Sequence, residues 1–191
     1  GRRVKAFQTV IGKVHPGSAH VHLSRYVGGR AVNPLRFGGM LGYTDTAPPE
    51  VRQLIAYRND GRTVDLQKIR GAVALFVDAV DIQSNGGNNT GLYRLGYRIR
   101  NGAGKVVVGP YQCLQMDEVV PEPIGNILYT TGSTRNRFQT SWLYRLTVKS
   151  PSADGALHTG HLPPGPYAVE VTAADVMGNS TTEVFPIAII P

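Results

Sequence analysis

Apolar and polar residues alternate with a period of two along much of the chain, which is the pattern of half-buried β-strands. The segment 91–100 shows this alternation most clearly. Its apolar positions are Tyr93, Leu95, Tyr97 and Ile99, and its basic positions are Arg94, Arg98 and Arg100. We predict a strand whose apolar side chains are buried in a core while the three arginines stay exposed.

The same alternation recurs over residues 167–173, where Val169 and Val171 are predicted to face the core. Residues 71–82 differ, because they form a longer and nearly continuous apolar run. A run of this kind is typical of a central strand that is covered on both faces. We therefore predict that residues 71–82 lie inside a sheet.

Further strands are predicted wherever short apolar segments are bounded by turn residues. They cover residues 51–57, 105–108, 126–130, 142–148 and 184–190. The chain has 23 glycines and 13 prolines, spread between these segments, where they favour turns. No segment has a convincing helical period. The predicted fold class is therefore all-β, with an antiparallel two-sheet immunoglobulin-like sandwich over residues 50–191.

The first forty residues have a strand pattern of their own. Strands are predicted over residues 4–10 and 19–26, followed by a hairpin turn at Gly28-Gly29. So short a segment rarely folds as an independent domain. We therefore expect residues 1–40 to be a short β-segment that is either the tail of a larger domain or an extension docked on the sandwich.

Residues 41–49 lie between this segment and the predicted sandwich. Within them, residues 43–49 are a polar, Pro-containing stretch that ends in Pro48-Pro49. Consecutive prolines favour a stiff, extended chain. We predict that residues 41–49 are a linker.

The net charge of +7 is concentrated in residues 1–40. This segment holds seven Lys and Arg residues and no Asp or Glu, whereas acidic and basic residues balance in the rest of the chain. A basic segment can bind an anionic partner such as nucleic acid or a wall polymer. The basic residues are spread out, however, without a series of aromatic residues for base stacking. We interpret them as a solvated surface and predict no nucleic-acid partner.

Two further features limit the class of protein. The chain has no apolar run of about 18 residues, so we predict no membrane-spanning helix. Its one cysteine, Cys113, excludes a disulfide within these 191 residues and is predicted to be a core residue. No signal peptide is visible after Gly1, so an export signal is expected upstream.

The strongest chemical signal is His20-Val21-His22. Side chains two apart on a strand project from the same face, so both imidazoles would point into one volume. Such a pair can supply two zinc ligands, or one ligand and a proton-transfer group. Histidines with this spacing also arise by chance, so the pair alone leaves both interpretations open.

The residues around this pair resemble the end of the M23 (LytM-like) zinc metallopeptidase domain. The matching segments are 4–14 (VKAFQTVIGKV), 17–23 (GSAHVHL) and 29–35 (GRAVNPL). In that family they correspond to a V-x-x-G-x-x-IG-x-V strand, a G-x-HxHF strand and an NGxPVDPL hairpin. The resemblance implies that His22 binds zinc and that His20 assists catalysis on the activated water.

The resemblance is incomplete in ways that bear on activity. Phe7 or Gln8 stands where the family has Gly. Leu23 replaces a Phe, and Asn33 replaces the Asp of the Asp-Pro-Leu turn. The family's two other zinc ligands, a His and an Asp of an HxxxD motif, would lie upstream of Gly1. Because catalytic zinc normally needs three protein ligands, we expect this chain alone to bind zinc weakly and to be inactive.

The resemblance implies a bacterial parent protein that is a secreted, periplasmic or cell-envelope zinc metallopeptidase. Its cofactor would be Zn²⁺ and its substrate a peptide or peptidoglycan, with the N-terminal part of the same protein as a partner of this chain. The sandwich would act as a positioning or substrate-binding module. The alternative is a non-catalytic cell-surface binding or adhesion module, in which the His pair is left from a degenerate peptidase domain.

Residues 161–180 are similar to the L-x-x-G-x-Y-x-V-x-V-x-A-x-D-x-x-G-N closing hairpin of bacterial immunoglobulin-like domains. In this hairpin Asp175 is predicted to accept hydrogen bonds from backbone amides of the turn. Gly178-Asn179 supplies residues that tolerate positive φ. We therefore predict a structural role for Asp175 in the turn.

Oxygen-bearing side chains also cluster between the predicted strands 71–82 and 91–100. These are Asp78, Asp81, Asn85, Asn88 and Asn89. Carboxylate and amide oxygens are calcium ligands, but the spacing fits no EF-hand loop. A plain loop is the simpler interpretation, and calcium binding is the alternative.

Overall fold

The computed structural model describes residues 24–36, 43–84, 90–118, 134–135, 140–150, 152 and 154–191. Within these ranges the regular structure consists of twelve β-strands and two single-turn 3₁₀ helices, Leu146–Val148 and Thr159–His161. The described part of the chain is therefore all-β, as predicted. It contains no helix with the length and apolar character needed to cross a membrane.

Strands β1 (Arg25–Val27) and β2 (Arg30–Val32) form a separate antiparallel hairpin. Its turn is Gly28-Gly29, as predicted, and the two glycines have φ values of 57° and 79°. Two-residue hairpin turns of type I′ need positive φ at both positions, which Gly adopts without steric cost.

Six strands form the larger sheet. They are β3 (Glu50–Tyr57), β4 (Thr63–Val64), β5 (Ala72–Val80), β8 (Thr134–Arg135), β9 (Thr140–Arg145) and β10 (Leu157–His158). The strand β5 is central, because it pairs antiparallel with β3, β9 and β10. The strands β4 and β8 extend the sheet beyond β3 and β9. The predicted strands 51–57, 71–82 and 142–148 correspond to β3, β5 and β9.

Four strands form the smaller sheet. They are β6 (Arg94–Asn101), β7 (Val106–Gln115), β11 (Gly165–Ala174) and β12 (Ser180–Ile189). All pairs are antiparallel, in the order β12-β11-β6-β7. The central strands β6 and β11 overlap the predicted strands 91–100 and 167–173.

The two sheets pack on each other around one hydrophobic core. Leu75 on β5 and Leu95 on β6 are both fully buried in it. All six predicted core residues are buried, which confirms the predicted core-facing side of each strand. They are Tyr93, Leu95, Tyr97, Ile99, Val169 and Val171. The two packed antiparallel sheets form a β-sandwich, whereas its immunoglobulin-like character stays a prediction.

The strand β5 is buried on both faces, as its apolar run predicts. Leu75 and Val77 belong to the main core, while Phe76 packs with Leu143 in a small second cluster. The alternation of these neighbours places the second cluster on the opposite face of the larger sheet.

The outer face of the smaller sheet departs in part from the prediction of exposed arginines. Arg94 is exposed, but the side chains of Arg98 and Arg100 are only 42% and 30% exposed. Both guanidinium groups bind the carboxylate of Glu170 on β11. They are more buried than the alternation predicts because this cross-strand pairing holds them against the sheet.

The strand β7 is longer than the predicted strand 105–108, which stops before Gly109-Pro110. Proline cannot donate a hydrogen bond to a neighbouring strand and is therefore tolerated mainly at sheet edges. The strand β7 lies at the edge of its sheet, so it can continue through Pro110. The predicted strand 126–130 lies outside the described residues.

Residues 43–49, which we call the connector, belong to the predicted linker but lie against the sandwich. The Thr181 hydroxyl donates to the carbonyl of Pro49 at 2.6 Å, and the Asn179 side-chain amide donates to the carbonyl of Asp45 at 2.9 Å. Asp45 and Pro49 are both buried. The connector is therefore attached to the sandwich along its length.

Candidate functional site

The two histidines that carry the predicted zinc chemistry, His20 and His22, lie outside the described residues. The described structure begins at Ser24, directly after the segment that holds them. It shows how the chain continues from that segment through the β1–β2 hairpin. The hairpin is attached to the sandwich just beyond the end of β7.

Asn33 attaches the end of the hairpin through both its backbone and its side chain. Its amide N–H donates to the carbonyl of Asp117 at 2.8 Å, and its Nδ2 donates to the carbonyl of Met116 at 2.9 Å. Its Oδ1 accepts a hydrogen bond from the Leu35 amide at 3.0 Å, which holds the local turn. The first two bonds keep the chain that leaves the hairpin against the residues after β7.

Two ion pairs strengthen the same attachment. Arg36 pairs with Asp117, and Arg30 pairs with Glu118 at 2.5 Å. Asp117 also accepts a hydrogen bond from the Tyr93 hydroxyl at 2.5 Å. The Arg36 guanidinium lies 5.2 Å from the centre of the Tyr93 ring. The Arg36 pair is partly shielded and hydrogen-bonded, so we expect it to contribute more than the exposed Arg30 pair.

A cleft of about 540 Å³ lies beside this attachment. It is lined by Asn33 from the segment after the hairpin, by Tyr43 from the connector, and by Leu92 and Trp142 from the sandwich. An apolar lining with a few polar groups is typical of sites that bind small ligands. Asp81 also lines the cleft and belongs to a second feature of this region.

Three buried aspartates lie together here, and we call them the aspartate cluster. Asp45 belongs to the connector, Asp81 follows β5, and Asp175 follows β11. One carboxylate oxygen from each lies within 4.8 Å of one from each of the others. Each residue is at most 6% exposed. Within the described ranges, this is the only group of three or more His, Cys, Asp or Glu residues close enough to share a metal ion.

The two carboxylate oxygens of Asp45 have different surroundings. Oδ1 accepts hydrogen bonds from the amides of Ala47 and Ser84, both at 3.0 Å. Oδ2 is buried and has no hydrogen-bond donor among the described residues. Burial raises the pKa of the Asp45 carboxyl, but the hydrogen bonds from Ala47 and Ser84 outweigh it and the pKa is lowered. Asp45 is therefore charged at neutral pH.

Asp81 is held in a similar way. Its Oδ2 accepts a hydrogen bond from the Thr90 hydroxyl at 3.1 Å, while its buried Oδ1 has no donor in the described part of the chain. Two backbone hydrogen bonds of 2.9 Å between Asp81 and Thr90 fix its position. Burial raises the pKa of Asp81 to about 6, with help from the charges of Asp175 and Asp45 and against the Thr90 hydrogen bond.

Asp175 has donors on both oxygens. Oδ1 accepts hydrogen bonds from the amides of Gly178 at 2.7 Å and Asn179 at 2.9 Å. Oδ2 accepts one from Nδ2 of Asn179 at 2.6 Å. These bonds confirm the predicted role of Asp175 in the turn. Because Asn179 Nδ2 also donates to the carbonyl of Asp45, the turn and the connector are joined beside the cluster.

The three carboxylates of the cluster also act on the nearby phenol of Tyr43. Burial raises the pKa of the Tyr43 phenol, and the charges of Asp45, Asp81 and Asp175 raise it further. Among the described residues, no Lys, Arg or His side chain forms an ion pair with Asp45, Asp81 or Asp175. The cluster therefore concentrates negative charge that nearby basic groups do not offset.

The structure brings together only part of the predicted calcium site. Asp81 belongs to the cluster and Asp78 does not. The other predicted ligands, Asn85, Asn88 and Asn89, lie outside the described residues. Sequence reasoning missed Asp45 because it lies in the predicted linker. The signal that was available is that Asp81 and Asp175 each stand at the end of a predicted strand.

The aspartate cluster does not match the zinc site predicted around His22. It holds three carboxylates and neither imidazole nor thiolate, the donors that zinc sites in proteins mainly use. An all-carboxylate set suits a hard cation such as Ca²⁺ or Mg²⁺. The two sites therefore call for different metals.

Comparison of the chain with protein-family models, with curated proteins and with solved structures finds no match. The resemblance to peptidase and immunoglobulin-like domains therefore rests on the residues quoted above. The structural features that bear on function are the attachment of the hairpin, the cleft and the aspartate cluster.

Proposed function

We propose that this chain is the C-terminal part of a secreted or cell-envelope zinc metallopeptidase of the M23 (LytM-like) kind, acting on a peptide or peptidoglycan. Its β-sandwich positions the segment that carries His20 and His22. The proposal is supported by the resemblance of residues 4–35 to the end of that peptidase domain. It is also supported by the attachment of the hairpin that follows this segment.

The observation that carries the proposal is the attachment of Asn33 and Arg36 to Asp117. The hairpin begins at Arg25, three residues after His22. Three residues of extended chain span roughly 10 Å, so a fixed hairpin limits how far His22 can move from the sandwich. Restricting the freedom of a catalytic group in this way favours reactive geometry.

Zinc in the parent protein would be held by His22 together with a His and an Asp from upstream of Gly1. The metal would activate water for hydrolysis of a peptide bond. His20 would hold or move a proton of that water. The role of the described residues is to place these groups.

The metal assignment is tested by His22→Ala and His20→Ala in the full-length parent protein. His22→Ala should lose zinc, measured by atomic absorption, together with peptidase activity. His20→Ala should keep most of the zinc while turnover falls by about 10²–10⁴-fold, because a proton-transfer group is not a ligand. Unchanged zinc content in His22→Ala would refute the carry-over from the peptidase family.

The positioning role is tested by Asp117→Ala in the same full-length protein. This change removes the partner of Arg36 and of the Tyr93 hydroxyl, so we expect kcat/KM to fall about tenfold while zinc content is unchanged. Glu183→Ala, at an exposed position of β12, is the matched control. Equal activities of the two variants would show that the sandwich does not position the His segment.

A second candidate is a non-catalytic binding or adhesion module, which the cleft beside the hairpin favours. In that case the full-length protein should bind purified peptidoglycan without cleaving it. Trp142→Ala should weaken this binding, because Trp142 contributes the largest apolar side chain of the cleft lining. Retained zinc content in His22→Ala, together with weaker binding in Trp142→Ala, would favour this candidate.

A further inference from the structure

We propose that the aspartate cluster, formed by Asp45, Asp81 and Asp175, is a calcium-binding site that fastens the connector to both sheets of the sandwich. The proposal is independent of the peptidase function, because none of the three residues belongs to the segment that resembles the peptidase. All three aspartates lie in the described part of the chain.

The cluster contains buried oxygens to which no group in the described part of the chain donates a hydrogen bond. Asp45 Oδ2 and Asp81 Oδ1 are buried without a donor, in residues that are each 6% exposed. Native proteins rarely leave buried polar atoms unpaired, and an unpaired carboxylate oxygen is among the most costly. In both residues the second oxygen is already hydrogen-bonded, so each carboxylate is oriented with one oxygen left for a ligand.

The spacing of the cluster oxygens is compatible with a shared calcium ion. Ca²⁺ binds oxygen at about 2.3–2.6 Å, so two ligands of one ion lie at most about 5 Å apart. The cluster oxygens lie within 4.8 Å of one another, which fits this limit. Mg²⁺ demands near-octahedral geometry at about 2.0–2.1 Å and usually keeps several waters, so three protein carboxylates suit Ca²⁺ better. Calcium also accepts irregular geometry and keeps water in positions that the protein leaves open.

The charge of the cluster also favours a cation. Three carboxylates share a buried volume, and no Lys, Arg or His of the described residues forms an ion pair with any of them. A divalent cation would offset most of this charge. The alternative to a cation is a proton on Asp81. This proton would offset only one of the negative charges, and it would be the single donor available to Asp45 Oδ2 among the described residues.

Calcium at this position would join three parts of the fold that are distant in sequence. Asp45 lies in the connector, Asp81 directly follows β5 of the larger sheet, and Asp175 lies in the turn after β11 of the smaller sheet. The unfolded chain does not hold these residues together, so binding would stabilise the folded state. Because Asp81 also lines the cleft, the ion would fix one side of it.

The proposal is tested by thermal unfolding of the 191-residue chain in chelator and in added cation. At a calcium concentration about a hundred times the Kd, the melting temperature should rise by roughly 5–10 °C. Mg²⁺ should give a smaller rise. Isothermal titration should show one calcium ion per chain at this site. A melting temperature that does not respond to calcium would overturn the proposal.

Asp81→Asn separates calcium binding from other effects, with Asp60→Asn at an exposed turn as the matched control. In chelator, Asp81→Asn should melt at or above the wild-type temperature, because it removes a charge while keeping the shape and the Thr90 contact. In calcium, it should melt below the wild type, because the site is lost. Asp45→Asn provides a second variant with the same expected loss of calcium response. An equal calcium response in wild type, Asp81→Asn and Asp45→Asn would refute the site.

Discussion

Two groups of carboxylates in this sandwich handle negative charge in opposite ways. On the outer face of the smaller sheet, Glu170 binds Arg98 with one oxygen and Arg100 with the other. In the aspartate cluster, three carboxylates lie within 4.8 Å and two of their oxygens have no donor among the described residues. The first group is neutralised by arginines of the chain itself, whereas the described residues provide no such cation to the second.

The pKa directions reflect this difference. The hydrogen bond from Arg98, with that from Arg100, lowers the pKa of Glu170 below its ordinary value of 4.5. Burial and the neighbouring carboxylates raise the pKa of Asp81 to about 6. A carboxylate with built-in partners prefers the charged form, whereas a buried carboxylate among other acids resists it. The comparison shows that the described residues give the aspartate cluster no cationic partner of the kind that Glu170 has, and the proposed calcium ion would supply that charge.

The largest expected loss of stability comes from Tyr97, which lies in the core beneath Glu170. Its size is the reference for the smaller effects expected at the two carboxylate groups. Tyr97 is 3% exposed, and its hydroxyl donates to the carbonyl of Lys149 at 2.8 Å. Tyr97→Ala should lower the free energy of unfolding by about 3 kcal/mol, because it leaves a cavity between the sheets. Tyr97→Phe should cost only about 1 kcal/mol, for the lost hydrogen bond. Denaturant titration measures both, and a cost under about 0.5 kcal/mol for Tyr97→Ala would contradict the register.

The next effect concerns the structural part of the aspartate cluster. Asp175→Ala should lower the free energy of unfolding in chelator by about 2 kcal/mol, because it leaves the Gly178 and Asn179 amides without an acceptor. This loss of stability should be present in chelator, whereas Asp81→Asn should be less stable than wild type only in calcium. Thermal unfolding in chelator checks this order. A neutral Asp175→Ala would mean that the turn does not depend on the carboxylate.

The Glu170 group could be predicted from the sequence better than the aspartate cluster. Strict alternation places Arg98 and Arg100 on one face of β6, and antiparallel pairing with β11 sets Glu170 directly opposite Arg98. The aspartate cluster joins residues 45, 81 and 175, which follow no local period. Their meeting depends on how the two sheets pack and on where the connector runs. Local patterns therefore predict the strands and their faces, but not contacts made between strand ends.

A smaller effect is expected from Glu170→Gln, and it should depend on pH. The pKa of Glu170 is lowered in the folded state, so the charged form stabilises the fold above the ordinary pKa of 4.5. This stability is lost as the pH falls through the lowered pKa. At pH 7 the variant should therefore be about 1 kcal/mol less stable than wild type, and the difference should vanish in acid. Urea titrations at several pH values measure it, and a difference that persists at low pH would exclude charge pairing as the cause.

The smallest effect compares how salt acts on the two groups. Raising the ionic strength from about 0.1 M to about 1 M shortens the screening length from about 10 Å to about 3 Å, but buried charges are screened much less. The difference in stability between wild type and Glu170→Gln should fall by roughly half, because the partners Arg98 and Arg100 are partly exposed. The difference between wild type and Asp81→Asn in chelator should change less, since Asp81 is 6% exposed. Equal salt effects in the two comparisons would show that water reaches the aspartate cluster as freely as it reaches the arginines. Water would then solvate the three carboxylates, and the cluster would not need a bound cation.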